Sequence, residues 1–331
     1  MSSIAALETY LRPLKVLFDQ DGIAEISINR PGEAWVEKYG EMYRHELPEF
    51  NLEHIKALAR LVAQSTEQKV SEENPLLSAT LPDGYRIQSV FPPACEPGHV
   101  IMSIRKQTVM NLNLEQYEAL GAFQSTAVRQ SENEDDKKLR ALLDSGAIRE
   151  FITQAVLLRK NIIISGGTST GKTTFLNAVL KKIPQTERII TCEDAREVNL
   201  DHLPNRVHLI ASRGGQGRAQ VTTQDLIEAC LRLRPDRIIV GELRGKEAFS
   251  YLRAINTGHP GSISTLHADS PKLAYEQLIL MIMQAGLGIT RDQIKEYVDS
   301  IVNVVVQLKR GAKGKRYVSE IYFKDEVSGK L

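Results

Sequence analysis

The sequence predicts an α/β chain, in which a smaller α+β domain precedes a larger domain built on a mostly parallel sheet. Three observations lead there. After Gly146, apolar strand-like runs alternate with helical patterns, the order that buries a parallel sheet beneath helices on both faces. The run GGTSTGKT, Gly166 to Thr173, falls between an apolar run and a helix start. And 331 residues, with 42% hydrophobic and 25% charged, provide enough chain for two ordinary cores, in a composition that is neither disordered nor membrane-like.

The amino-terminal stretch MSSIAALETYLRP reads as a helical start and lacks the basic opening and long apolar run of an export signal. Strand patterns follow in AEISINR and AWVEKYG, then a helix across Leu52 to Gln64, then strands in YRIQSVF and HVIMSIR. Pro31, Gly32, Pro82, Gly84, Pro92, Pro93, Pro97 and Gly98 punctuate this region as turns, so residues 1–120 read as one small domain. The stretch QSTAVRQSENEDDKKLR, Gln124 to Arg140, has few bulky apolar residues and a dense charge run. It marks a solvated linker, set at 121–146, against the alternative of an exposed, charge-laced helix.

Residues 147–331 form the second domain. An amphipathic helix, AIREFITQAVLLRK, leads to the strand NIIIS and a helix from about Lys172. Strands follow at ERIITC, NRVHLI, DRIIV and SISTLH, separated by helical patterns such as TTQDLIEACLRL and KEAFSYLRAIN. The final IVNVVVQLKRGAKGKRYVSEIYF reads as a hairpin. Its turn, KRGAKGKR, is either a solvated tip or a contact for membrane phosphate or an acidic partner.

Net charge is +1 at a pI near 7.7, so no global field draws the chain to nucleic acid or anionic lipid, and strong nucleic-acid binding is not expected. Cys95, Cys192 and Cys230 are scattered and odd in number, which argues against a disulfide framework or a CxxC metal site and fits a reducing cytoplasm. No segment approaches the ~20 apolar residues of a membrane span.

GGTSTGKT matches GxxxxGK[ST] in the context that motif requires, a strand before it and a helix after it. Glycines at 166 and 171 permit a tight loop whose N–H groups converge on an anion at the positive end of a helix dipole. Gly166, Gly167, Thr168, Ser169, Thr170, Gly171, Lys172, Thr173 and Thr174 are therefore the expected nucleotide contacts, with Lys172 a cation over the outer phosphates and Thr173 a hydroxyl for Mg²⁺. The alternative is a Gly-rich turn that carries no ligand.

In a parallel sheet the ligand lies at the carboxyl ends of the strands, so acids just after strands are candidates. Hydrolysis of a γ-phosphate needs one group for the attacking water and one for the metal shell. Glu193 is assigned to activate the water and, beside Thr173 and Glu242, to the Mg²⁺ shell; Asp194 and Glu197 are nearby alternates. His267, at the end of SISTLH, is placed to sense the γ-phosphate, whereas His259 reads as a loop residue. Arginines in LRLRPDR and GELRG flank the acids, and Arg86 and Arg105 sit on strand-like segments of the first domain.

At these residues the chain resembles the secretion and traffic ATPase superfamily. GGTSTGKT resembles its Walker A loop, RIITCEDAREV its acidic box, LRLRPDRIIVGELRG its Walker B with Glu in place of Asp, and GHPGSISTLHA its histidine box, in family order. NRPGEAWVE, LPDGYRIQSVFPPACEPG and IMSIRK in the first domain resemble the type IV secretion branch rather than the pilus branch. Ala195, in place of Pro or Thr, and Pro260 depart from the family pattern without removing a group of proposed chemical role. The resemblance implies a RecA-like P-loop domain, ATP and Mg²⁺, and a hexameric ring of identical chains with nucleotide between the two domains. It further implies that Arg86 and Arg105 reach the γ-phosphate, that the charged segment is an extended linker, and that the motor works with inner-membrane components of a type IV secretion or conjugation apparatus, peripherally at the cytoplasmic face. Rival readings are a pilus or type II secretion ATPase, a hexameric helicase or packaging motor using SRGGQGR (Ser212 to Arg218) as a basic pore loop, and a nucleotide-binding scaffold without turnover.

Overall fold

The structure is a computed structural model, and it describes residues 3–107, 112–124, 126, 133–212 and 218–324. The first domain comprises α1 (Ser3–Phe18), β1 (Ile23–Ile28), β2 (Gly32–Lys38), β3 (Glu41–Leu47), α2 (Leu52–Ser65), β4 (Leu76–Thr80), β5 (Arg86–Val90), β6 (Ile101–Arg105) and α3 (Leu114–Ala119). Its strands form one six-stranded antiparallel sheet in the order β3-β2-β1-β6-β5-β4. Apolar residues at helical spacing explain what covers that sheet. In α2, Ile55, Leu58, Ala59, Val62 and Ala63 are buried, and they share a core with Leu7, Leu11, Leu14 and Phe18 of α1. Asn51 caps α2 by accepting the backbone N–H of His54 at 2.9 Å.

The second domain continues with α4 (Glu134–Asp144), α5 (Ile148–Leu157), β7 (Ile162–Gly166), α6 (Lys172–Leu180), β8 (Ile189–Glu193), β9 (Arg206–Ile210), α7 (Thr223–Cys230) and β10 (Arg237–Val240). It ends with α8 (Glu247–Asn256), β11 (Ile263–Leu266), α9 (Pro271–Met283), α10 (Arg291–Ile301), β12 (Val304–Arg310) and β13 (Arg316–Phe323). The sheet order is β13-β12-β7-β11-β10-β8-β9, parallel throughout except for the β12–β13 hairpin. Strands β7, β8 and β10 are buried along their whole length because helices cover both faces. One face holds a core with Leu139, Phe151, Leu176 and Leu180, the other a core with Leu226, Tyr251, Leu278 and Val298. The expected α/β class with a smaller α+β domain before it is the architecture observed.

The segment expected to be a solvated linker contains helix α4. Three acids in its first turn complement the helix dipole, and Asn133 caps it through the Asp135 N–H at 3.0 Å. Leu139 is fully buried in the second-domain core, and buried Asp136 pairs with Lys160. Most of the other charges face outward, so composition hid Leu139, Leu142 and Leu143, which pack the helix on that core.

The two domains meet at the β9 edge of the larger sheet. The Ile210 N–H donates to Ala94 O at 2.9 Å, and a bridge joins Cys95 to Leu209. Arg188, fully buried, donates to Asn29 Oδ1 and Asn205 Oδ1, both at 2.6 Å; burial lowers its pKa to about 10, with Glu25 opposing. Arg234 forms a two-pronged pair with Glu37 at 2.9 and 2.8 Å. Cys95, Cys192 and Cys230 are buried free thiols. Among the described residues no helix is long and apolar enough to cross a membrane.

Candidate active site

The phosphate loop joins the end of β7, an interior strand between β12 and β11, to the start of α6. Gly171 caps α6 with φ at +88°, a left-handed backbone that side chains resist, and Ser169 also has positive φ, at +61°. A Cβ at Gly166 would lie 2.5 Å from Thr170 Oγ1 and 2.9 Å from Leu308 O, so only glycine fits between the loop and β12. The Thr170 hydroxyl closes the loop by donating to Gly167 O at 2.9 Å. Lys172 folds over it, donating Nζ to Gly166 O at 2.9 Å and Gly167 O at 3.3 Å. Burial pushes the Lys172 pKa down, and Arg244 adds to that while Glu242 opposes it.

A cavity of 380 Å³ opens over this loop and gathers Thr168 to Thr174, Glu193, Asp194, Glu197, Glu242, Arg244, His267 and Arg316. Three of these stand at carboxyl ends of parallel strands: Glu193 on β8, Glu242 after β10 and His267 after β11. Glu242 Oε1 accepts from His267 Nε2 at 2.6 Å, and its Oε2 accepts from Arg244 Nε at 2.6 Å. With its Nε2 proton given to Glu242, His267 presents Nδ1 as the acceptor for Lys172 Nζ at 3.3 Å. Arg244 also reaches Asp194 Oδ2 at 2.9 Å, and its pairing with Glu242 raises its pKa. The Thr173 hydroxyl donates to Glu197 Oε2 at 3.3 Å.

Of the sequence-predicted residues, Thr168 to Thr174, Glu242 and His267 line one cleft, while Gly166 and Gly167 lie in the loop behind it as acceptors for Lys172. Glu193 lines the same cleft, and both of its oxygens accept hydrogen bonds from the protein. Its Oε1 accepts the backbone N–H groups of Glu197 and Val198 at 2.9 and 2.8 Å, and its Oε2 accepts the Thr191 hydroxyl at 2.9 Å. Burial by itself pushes this carboxyl up, but His208 3.6 Å away, the two N–H groups and the Thr191 hydroxyl hold it below the usual range. Glu193, expected at the attacking water and in the metal shell, has both oxygens engaged by protein donors, while Glu197 is exposed beside Thr173.

Arg86 and Arg105 do not reach the loop within one chain. They stand opposite each other across the β5–β6 ladder and line a separate cavity with Glu25, Arg232 and Arg234. Arg105 Nε lies 3.1 Å from Glu25 Oε2. His259 sits before β11, at the far end of the sheet from the cleft, with Nδ1 2.8 Å from Pro235 O. Residues 213–217 of the SRGGQGR loop lie outside the described residues, and Arg218 pairs with Glu72 at 3.1 Å.

Arg316 escaped sequence reasoning as a site residue. It belongs to KRGAKGKR, and a Cβ on Gly171 would lie 2.8 Å from its Cδ. The parallel register of β12 on β7, with Leu308 opposite Gly166, carries the hairpin to the phosphate loop. The only local signal was the density of basic residues in the turn.

A family model described as "Type II/IV secretion system protein" matches residues 9–326. The type IV secretion system protein VirB11 of Bartonella quintana is 39% identical, covering 97% of this chain and 94% of its own. The PtlH homolog of Bordetella bronchiseptica is 38% identical, covering 97% and 96%. Among solved structures, the VirB11 ATPase from the Brucella suis type IV secretion system, crystallised with sulphate, superposes with a TM-score of 0.90 at 35% identity, covering 96% of this chain and 97% of that one. A loop built for phosphate, acids at the strand ends beside it, and likeness along nearly the entire length lead to one conclusion: the chain belongs to the type II/IV secretion system protein family, on its type IV secretion ATPase branch.

Proposed function

We propose that this chain is the Mg²⁺-dependent ATP-hydrolysing motor of a type IV secretion or conjugation apparatus, working as a homo-hexamer with 1–120 and 147–331 as its two working domains. The carrying observation is the single cleft in which Lys172, Thr173, Glu197, Glu242 and His267 face one another across the strand ends.

The chemistry follows from those groups. Loop N–H groups and the α6 amino terminus bind the phosphates, and Lys172 exchanges its loop carbonyls for phosphate oxygens. The Glu197 carboxylate, beside Thr173, takes the proton of the attacking water. Among the described residues no group of three or more His, Cys, Asp or Glu could hold a metal by itself. A hydroxyl from Thr173 with carboxylates nearby suits Mg²⁺, which keeps waters and draws most of its ligands from the phosphates. When bound, Mg²⁺ would supply positive charge that offsets the negative charge of the phosphates. His267 hydrogen-bonds both Lys172 and Glu242, so loss of the γ-phosphate alters both of its contacts.

Arg86 and Arg105 line a cavity apart from the cleft of their own chain and serve the nucleotide of a neighbouring copy, which is why the ring is required. Its partners are inner-membrane components of the apparatus, and its place is the cytoplasmic face of that membrane. The test is phosphate release from Mg·ATP by the full chain and by Lys172→Ala. Turnover that the substitution lowers by about 10²-fold or more is expected; wild-type protein that binds ATP without releasing phosphate would make it a scaffold.

A further inference from the structure

Glu193 is the last residue of β8 and only 3% exposed. A carboxylate so buried costs desolvation unless donors surround it, and here the donors share a purpose. Two are the backbone N–H groups of Glu197 and Val198, both on Oε1. The third is the Thr191 hydroxyl on Oε2, and that hydroxyl oxygen lies 2.9 Å from His208 Nδ1. A hydroxyl has one proton, so with Thr191 donating to Glu193, His208 Nδ1 donates to Thr191. His208 Nε2, buried and without a partner among the described residues, is then the bare nitrogen, which leaves no stranded donor.

Asn177, on α6 one turn beyond Thr173, holds the other side of the same turn. Its Nδ2 donates to Glu197 O at 3.2 Å, and its Oδ1 accepts the Asn199 N–H at 2.8 Å. The backbone is thereby tied at 197, 198 and 199, and the Glu197 side chain falls 3.3 Å from the Thr173 hydroxyl.

We propose that Glu193 is a positioning residue which, backed by Thr191 and His208, clamps the backbone of Glu197 so that the Glu197 carboxylate is held at Thr173. The inference rests on the role given to Glu197 above and deepens it. What the clamp needs is an acceptor oxygen, not negative charge, because one oxygen already takes both N–H groups. Glutamine keeps that oxygen and its amide donates to Thr191; the Thr191 hydroxyl then turns to His208 Nδ1 and moves the imidazole proton to the buried Nε2, a cost that falls on stability and leaves the two N–H groups of the clamp held. Alanine keeps nothing.

The test compares phosphate release and ATP affinity for the full chain carrying Glu193→Gln, Glu193→Ala and Glu197→Gln. Glu193→Gln should stay within about threefold of wild-type kcat, Glu193→Ala should lose about tenfold or more in kcat with KM for Mg·ATP held within about threefold, and Glu197→Gln should lose about 10²-fold or more. Glu193→Gln that binds ATP yet is as inactive as Glu197→Gln overturns the clamp and makes Glu193 the base. Equal damage to kcat and KM in Glu193→Ala also overturns it; should that variant fail to fold, the two near-isosteric glutamine variants decide. Wild-type turnover by Glu197→Gln overturns the reading of Glu197 itself, an outcome separate from failure of the clamp alone.

Discussion

Glu193 and Glu197 share one turn and serve opposite sides of it: Glu193 Oε1 accepts the Glu197 backbone N–H at 2.9 Å, while Glu197 Oε2 accepts the Thr173 hydroxyl at 3.3 Å. One acid faces inward to shape the turn and the other faces the phosphate loop. The division of labour sorts the remaining acids too, since Glu242 is held between His267 and Arg244 and Asp194 is drawn to Arg244.

Arg316 lies against Gly171 at the mouth of the cleft. Arg316→Ala is expected to weaken ATP and ADP binding about three- to tenfold with a smaller change in kcat, because an arginine there meets phosphate in both ground and transition states. Titration with a fluorescent nucleotide analogue checks this; unchanged affinity would leave Arg316 a bystander.

Arg105 is bound to Glu25 in a cavity apart from the cleft of its own chain. Arginine supplied across a subunit boundary makes complementation possible. Rings mixed from Lys172→Ala and Arg105→Ala chains should hydrolyse ATP faster than either parent, as some interfaces then hold an intact loop facing an intact Arg105. Mixtures no faster than the parents would argue against supply in trans.

Arg237 is a fully buried cation held by Glu187 at 2.6 and 2.8 Å. Glu187→Ala strands that charge, a lesion that costs about 3–5 kcal/mol. In a protein of this size the melting temperature should fall by roughly 10 °C. Calorimetry would show it, and a shift below about 2 °C would mean that the guanidinium finds water or another partner.

The Glu193 carboxyl has a depressed folded-state pKa, burial being outweighed by nearby His208 and by the hydrogen bonds from the 197 and 198 N–H groups and Thr191. For an acid shifted down, the ionised form contributes stability above its unfolded value and loses it as pH falls through the folded one. Wild type should therefore lose stability relative to Glu193→Gln from about pH 4 downward. Urea midpoints for both proteins at neutral and acid pH measure it; a constant gap would contradict the shift.

Much of the molecule was legible before any coordinates. The β7 strand, the loop and α6 follow from apolar run, glycine spacing and helix start, all within a short contiguous stretch. The acids at strand ends were legible as a set, since parallel strands deliver their carboxyl ends to one edge. The edge strand β3, largely exposed, carried no apolar alternation to announce it. Helix α4 looked like linker because its charges outnumber the three leucines that anchor it.

The amino-acid sequence by itself determined the phosphate loop, the parallel sheet that presents it and the family, because each rests on residues close together in the chain or on pattern along it. Which acid lies beside Thr173, that Arg86 and Arg105 line a separate cavity and that Arg316 lies against Gly171 were decided only by the tertiary structure. Those properties depend on partners brought from distant segments: His208 of β9 behind Glu193, the β12 register beside Gly166, and Glu25 beside Arg105. A carboxylate's availability is set by the donors that fold around it, and a sequence read residue by residue does not state who those neighbours are.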